Sequence, residues 1–150
     1  MRSFDLRYRI CSDLSSPGVP LPNIPAPTHA EDASNGLVKY RLIRQALHGI
    51  PTWATDHQQA PVSRAYPKPD HNADFPLNKT IKTTDWPAHF GGNRPYTVRE
   101  VACLQGFPHE HCFFGFKKDK KRQVGNAVPP SVGMLILDSV RIFLLANGVT

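Results

Sequence analysis

The chain has 150 residues, 40% hydrophobic and 20% charged, with a formal net charge of +6. That is one ordinary domain by length, able to bury a core, and neither disordered throughout nor membranous by composition. No run of about 18 apolar residues occurs, so no spanning helix is expected, and the first 30 residues lack the apolar stretch of a secretory signal.

Two features depart from the ordinary. Fifteen prolines make up the chain's turn-rich part, mostly between Pro17 and Pro95, where regular helix or central strand is excluded because proline fixes φ and lacks an amide donor. A compact domain rarely carries so much irregular chain, so the sequence reads as a piece of something larger. The charge is also uneven. Residues 1–75 carry 8 basic and 7 acidic side chains, whereas residues 76–150 carry 10 and 5. A basic half suggests an anionic partner, and nucleic acid is the commonest.

In chain order, residues 6–11 alternate Leu6, Tyr8 and Ile10 with Arg7 and Arg9, a half-buried strand pattern. Residues 16–27 hold five prolines and read as extended linker. Val38, Leu42, Ala46 and Ile50 recur at spacing four, which predicts a short helix over 38–47 that Gly49 and Pro51 end. Residues 51–95 read as irregular, with seven prolines and both tryptophans. The clearest helix is 97–105. Thr97 and Glu100 form a capping box, and Gly106, Phe107 and Pro108 stop it. Lys117, Lys118, Lys120, Lys121 and Arg122 put five cations in six residues, read here as a basic loop facing either DNA phosphates or solvent. Residues 123–130 read as a tight Gly/Pro segment in which Gly125 supplies an unusual backbone conformation. A last helix is expected from about Pro130 to Ala146, with an apolar stripe of Val132, Leu135, Ile136, Val140, Phe143 and Leu144.

The sequence offers little independent sign of chemistry. Cys11, Cys103 and Cys112 are irregularly spaced, which argues against a disulfide framework and for a reducing compartment. None sits in an evidently activating environment, so all three read as structural. His109, His111 and Cys112 cluster, but the second pair that a zinc site needs is missing, and no metal is expected.

The residues do resemble a family. Residues 95–108, Pro-Tyr-Thr-Val-Arg-Glu-Val-Ala-Cys-Leu-Gln-Gly-Phe-Pro, resemble the ninth motif of DNA (cytosine-5)-methyltransferases. Residues 123–130, Gln-Val-Gly-Asn-Ala-Val-Pro-Pro, resemble the tenth, in the family's order and spacing. Arg7-Tyr8-Arg9 and the proline-rich tail to His29 resemble the eighth, with Asp5 where the family usually has glutamine. Residues 78–84 and 92–95 are most similar to fungal members. The resemblance implies an α/β fold, the C-terminal fragment of a Rossmann-like S-adenosylmethionine-dependent methyltransferase with an irregular target-recognition region. It implies three parts: 1–29 ending the catalytic domain, 30–93 for target recognition, and 94–150 carrying motifs nine and ten back to the catalytic domain.

The family flips cytosine out of duplex DNA, adds a cysteine thiolate to carbon 6, and moves methyl from S-adenosylmethionine to carbon 5. By resemblance Arg9 would hold the flipped base and Arg7 assist it, the alternative being structural pairing with carboxylates. Asn126, Ala127 and Val128 would line the cofactor pocket. Arg94 would brace the target-recognition region, with Thr97, Arg99, Glu100 and Gly125 structural. The family's Pro-Cys nucleophile, Glu-Asn-Val acid and Gly-rich cofactor turn do not occur here. The expectation is therefore a partial methyltransferase, inactive alone, with duplex DNA and a missing N-terminal part on another chain as candidate partners. The alternative is a non-enzymatic DNA-binding or complementing subunit. The resemblance implies a nuclear location, otherwise a cytoplasmic one.

Overall fold

The computed structural model describes residues 25–30, 36–58, 72–77, 80–84, 86–92 and 94–148. The strand expected at 6–11, with Arg7, Arg9 and Cys11, lies outside the described residues, as does most of the proline-rich run. The chain divides into two compact units, residues 27–132 and residues 1–26 with 133–150.

The 27–132 unit begins with two short parallel strands, β1 (His29–Ala30) and β2 (Val38–Lys39), in the register His29 to Val38 and Ala30 to Lys39. Amides of Val38 and Tyr40 donate to the carbonyls of Thr28 and Ala30 at 2.9 and 3.0 Å. A helix follows only at α1 (Ile43–Leu47), its first turn closed by the Leu42 amide donating to Gln45 Oε1. The single helix expected over 38–47 is thus a strand and a five-residue helix. Val38, placed on the expected apolar face, is 60% exposed, and the buried pair is Ile43 and Ala46. The strand wins because Val38 and Tyr40 find backbone partners in β1, and tertiary pairing overrides a weak spacing signal. Gly49, at φ 73°, ends α1 as expected.

α2 (Val98–Leu104) is capped as its sequence predicts. Thr97 Oγ1 accepts from the Glu100 amide at 3.1 Å, and Glu100 Oε2 accepts from the Thr97 amide at 2.8 Å. Gly106, at φ 88°, terminates it. α3 (Lys117–Asn126) replaces the expected basic loop and the first half of the expected Gly/Pro turn. Lysine and arginine are good helix formers, and Asp119 Oδ2 accepts from the Phe116 amide at 3.2 Å, closing the first turn. Gly125 lies inside this helix and has no positive φ, so it is not a turn glycine. α4 (Pro130–Ala146) runs as expected and has no fully buried residue. Leu135, Ser139, Val140 and Phe143 are its half-buried side; Val132, Ile136 and Leu144 of the expected stripe are exposed.

The core of the 27–132 unit lies where α2 meets α3. Tyr96, Val98, Val101, Ala102, Phe113 and Val124 are buried together, with Ile81, Trp86, Phe90 and Phe107 packed around them. Full burial of such side chains stabilises by roughly 1.5–3 kcal/mol each. Among the described residues no single helix is long and apolar enough to cross a membrane.

Candidate functional site

The site is built on α2. Residues 88–92 and 94–95 bring the chain back on itself, with an isolated bridge from Ala88 to Pro95 and the His89 amide donating to Arg94 O at 2.9 Å. This turn delivers Arg94 to Glu100. The guanidinium donates through Nη1 to Oε2 at 2.8 Å and through Nη2 to Oε1 at 2.7 Å, a bidentate buried pair. Burial pushes the Glu100 carboxyl up, but the Arg94 hydrogen bonds, the Thr97 amide and the charges of Arg94 and His89 together hold it below the usual carboxylate range. His89 Nε2 stands 3.7 Å from Glu100 Oε1, and its ring lies against Phe90 and Tyr96. Burial raises the Tyr96 phenol to about 12.

Arg99, fully buried one residue earlier on the helix, ties three separate segments together. It donates to Thr55 O at 2.9 Å, Thr55 Oγ1 at 3.0 Å, Pro108 O at 3.1 Å and His111 O at 2.6 Å, and its cation lies over the Phe113 ring. Every contact is to a neutral oxygen or a ring, so the charge is dispersed rather than paired. Next to Thr55, Asp56 adopts φ 65°, a left-handed backbone uncommon outside glycine. Its carbonyl accepts from the Arg99 amide at 3.2 Å and its Oδ1 from Lys120 Nζ at 2.6 Å. A cavity of about 350 Å³, lined by Asp56, Gln58, Thr97, Val98, Lys117 and Lys120, opens beside this pair.

The end of α2 reaches the second motif. Gln105 Nε2 donates to Ala127 O at 2.9 Å, fixing the backbone just after α3. From the other side, residues 80–84 press on Gly125. A β-carbon there would sit 2.5 Å from the carbonyl carbon and oxygen of Lys82 and the amide of Thr83. Trp86 Nε1 donates to Lys82 O at 2.7 Å and closes this strap. Asn126 and Val128 stay exposed on either side of the fixed Ala127, Val128 at 61%.

The residues expected to act therefore fall into distinct settings. Arg94, Thr97, Arg99 and Glu100 form a buried frame, and Gly125 provides a close approach. Asn126, Ala127 and Val128 are gathered at the end of α3. The five expected DNA cations are split. Lys120 is engaged by Asp56 and half-buried, and Lys121 sits 4.6 Å from the centre of the Trp86 ring. Lys117, Lys118 and Arg122 are exposed and make no ion pair among the described residues. Burial raises the Cys103 thiol, whose Sγ lies 3.6 Å from His109 Nδ1, so this cysteine is not an activated thiolate. His111 packs between Phe107 and Phe113. Sequence reasoning missed Gln105, Asp56 and the 80–84 strap; each acts through a partner remote in sequence, and no local signal marks them.

The ordered junction of the two motifs coincides with what the chain is related to. Residues 24–141 match the C-5 cytosine-specific DNA methylase family, and the chain belongs to it. A fold of the S-adenosylmethionine-dependent methyltransferase kind follows from that membership. The Type II methyltransferase M.NgoFVII of Neisseria gonorrhoeae is 31% identical over 139 residues, spanning 71% of this chain and 37% of that protein. The Type II methyltransferase M1.HphI of Haemophilus parahaemolyticus is 48% identical over 52 residues, 35% of this chain and 14% of its own length. The mouse DNA (cytosine-5)-methyltransferase 1 is 46% identical over 56 residues, 37% of this chain and 4% of its own length. The chain thus spans little more than a third of M.NgoFVII and a smaller share of the other two relatives.

Proposed function

We propose that this chain is the C-terminal, DNA-facing part of a DNA (cytosine-5)-methyltransferase, which takes methyl from S-adenosylmethionine to carbon 5 of cytosine in duplex DNA. The observation that carries the reading is the family match over 24–141. Its two densest motifs are joined by the Gln105–Ala127 hydrogen bond. The residues at the end of α3 suit the cofactor: Asn126 offers an exposed amide and Val128 an exposed apolar side chain, while the Ala127 carbonyl is already held by Gln105. S-adenosylmethionine, when bound, supplies an electrophilic methyl group. The part of this chain is to present Asn126 and Val128 at fixed positions and to hold DNA.

None of the three cysteines follows a proline, and no Glu-Asn-Val occurs in the 150 residues. The nucleophile and its acid partner therefore come from a further polypeptide part, and the 150 residues alone do not transfer methyl. Arg9 and Arg7 keep their proposed roles at the flipped base. Duplex DNA is the proposed partner, in the nucleus. The test is labelled S-adenosylmethionine with cytosine-containing duplex. The chain alone leaves the DNA unlabelled, and the chain joined to a family segment carrying the Pro-Cys and Gly-rich motifs labels cytosine. Label transferred by the chain alone, or none by the joined protein, refutes the reading.

A further inference from the structure

The two most exposed large apolar residues among those described are neighbours but one: Phe114 at 76% and Phe116 at 85%. They are not on a frayed loop. Gln123 Nε2 donates to Phe114 O at 2.7 Å, and the Phe116 amide donates to Asp119 Oδ2 at 3.2 Å. Between them Gly115 stands at φ 93°, and a β-carbon there would lie 3.2 Å from that of Asp119. The turn is therefore pinned on both sides, its glycine is required, and it holds two phenyl rings in water. Lys117 and Lys118 follow at once, exposed and without an ion pair among the described residues. Core packing explains none of these four side chains. Phe113, the preceding ring, does enter the core.

We infer that Phe114 and Phe116 form a stacking platform for unpaired bases, with Lys117 and Lys118 holding the phosphates of the same strand. Aromatic rings interleaved with cations on a fixed backbone match how single-stranded nucleic acid is gripped without sequence preference. The two α-carbons are at most about 7 Å apart, so both rings fall within reach of consecutive nucleotides. A protein or lipid surface fits less well. Two rings make no extended apolar face, and the adjoining side chains carry like charge. The inference rests on the reading above only in taking a nucleic acid as the partner; it concerns a single strand where that reading names duplex DNA, and it does not rest on methyl transfer.

The test measures binding of the full chain to a fluorescent single-stranded oligonucleotide and to the same length carrying abasic sites, across a salt series. Phe114→Ala with Phe116→Ala weakens binding to the ordinary strand by about 30-fold or more, leaves the abasic strand unaffected, and keeps the salt slope. Lys117→Ala with Lys118→Ala weakens both strands and lowers the slope by about 1.4. Phe114→Trp with Phe116→Trp retains binding, which separates stacking from a folding defect. Equal binding of the ordinary strand by wild type and the double alanine variant overturns the inference. So does absence of oligonucleotide binding, or Phe-dependent binding to anionic phospholipid vesicles instead. Because binding is read without methyl transfer, failure here leaves the methyltransferase reading standing, and the labelling test can fail without touching this one.

Discussion

Removing the Glu100 carboxylate is the sharpest perturbation of the frame. Glu100→Ala deletes three hydrogen bonds at once, two from Arg94 and one from the Thr97 amide. Arg94 is only 8% exposed, so it is left as a buried charge whose remaining partner among the described residues is the Pro95 carbonyl at 3.1 Å. Breaking one side of such a pair costs about 3–5 kcal/mol, mostly the desolvation of the survivor. The lost half of the capping box adds about 1 kcal/mol, not strictly additive with the first. Set against a typical domain stability of about 5–15 kcal/mol, this is about a quarter of the total or more.

Amide hydrogen exchange reads the effect at its source. Protection of the amides of Val101 and Gln105, which donate to Thr97 and Val101 carbonyls at 3.1 and 3.0 Å, should fall by two orders of magnitude or more. Glu100→Gln keeps an acceptor for the Thr97 amide and should lose less. Replacing both Arg94 and Glu100 by methionine removes the stranded charge and should recover part of the loss. A loss under tenfold in Glu100→Ala, or an equal loss in the double replacement, would refute the claim that the pair holds α2 through compensated burial.

Three further outcomes follow from the same geometry. Gly125→Ala drives a methyl group into the Lys82 backbone; the 80–84 strap must shift, destabilising the protein by about 1–3 kcal/mol in urea unfolding followed by tryptophan emission, and an unchanged midpoint contradicts the close approach. The Glu100 carboxyl is held below its ordinary value in the folded chain, so its stabilisation is present above an unfolded value near ~4.3 and fades as pH falls through the folded one; unfolding from pH 7 to 3 should show an acid loss that Glu100→Gln lacks. Lys120→Ala strands the Asp56 carboxylate and should cost about 1–3 kcal/mol, whereas Lys118→Ala stays within about 0.5 kcal/mol; equal effects in thermal melts would deny that the basic run is divided between structural and exposed cations.

The sequence was most legible where structure is local. The Thr97–Glu100 capping box, the stop at Gly106 and the start of α4 at Pro130 are each decided within four residues, and each is found where the residue types put it. It misled where the same residue type serves two ends. The sequence reads Gly125 as conformational, but it is a glycine for packing, and only the fold brings the Lys82 backbone to within 2.5 Å of where a β-carbon would stand. The cations at 117–122 read as a loop because their charge suggested solvent; their helix propensity and the Asp119 cap were the better guide. The latches of Arg99 on Thr55 and of Lys120 on Asp56 span 44 and 64 residues, and no pattern in a single sequence encodes such a pairing.

These long-range latches also explain why an irregular region can serve a site that needs fixed positions. Residues 51–58 contain no helix or strand, yet Thr55 and Asp56 are held by Arg99 from α2 and Lys120 from α3. Residues 80–84 and Trp86 are likewise held through Gly125 and the Trp86–Lys82 bond. The 51–58 segment is thus anchored by side chains of the two motif helices, and the 80–84 strap by its close approach to Gly125 and, through Trp86, by the Lys121 cation over that ring, rather than by backbone pairing. A segment held this way can change sequence between its anchors without disturbing α2 or α3. In the proposed enzyme, that is the separation a DNA-reading region requires. On that proposal, readout varies at exposed positions of the irregular segments while the Gln105–Ala127 bond keeps the proposed cofactor residues Asn126 and Val128 in place.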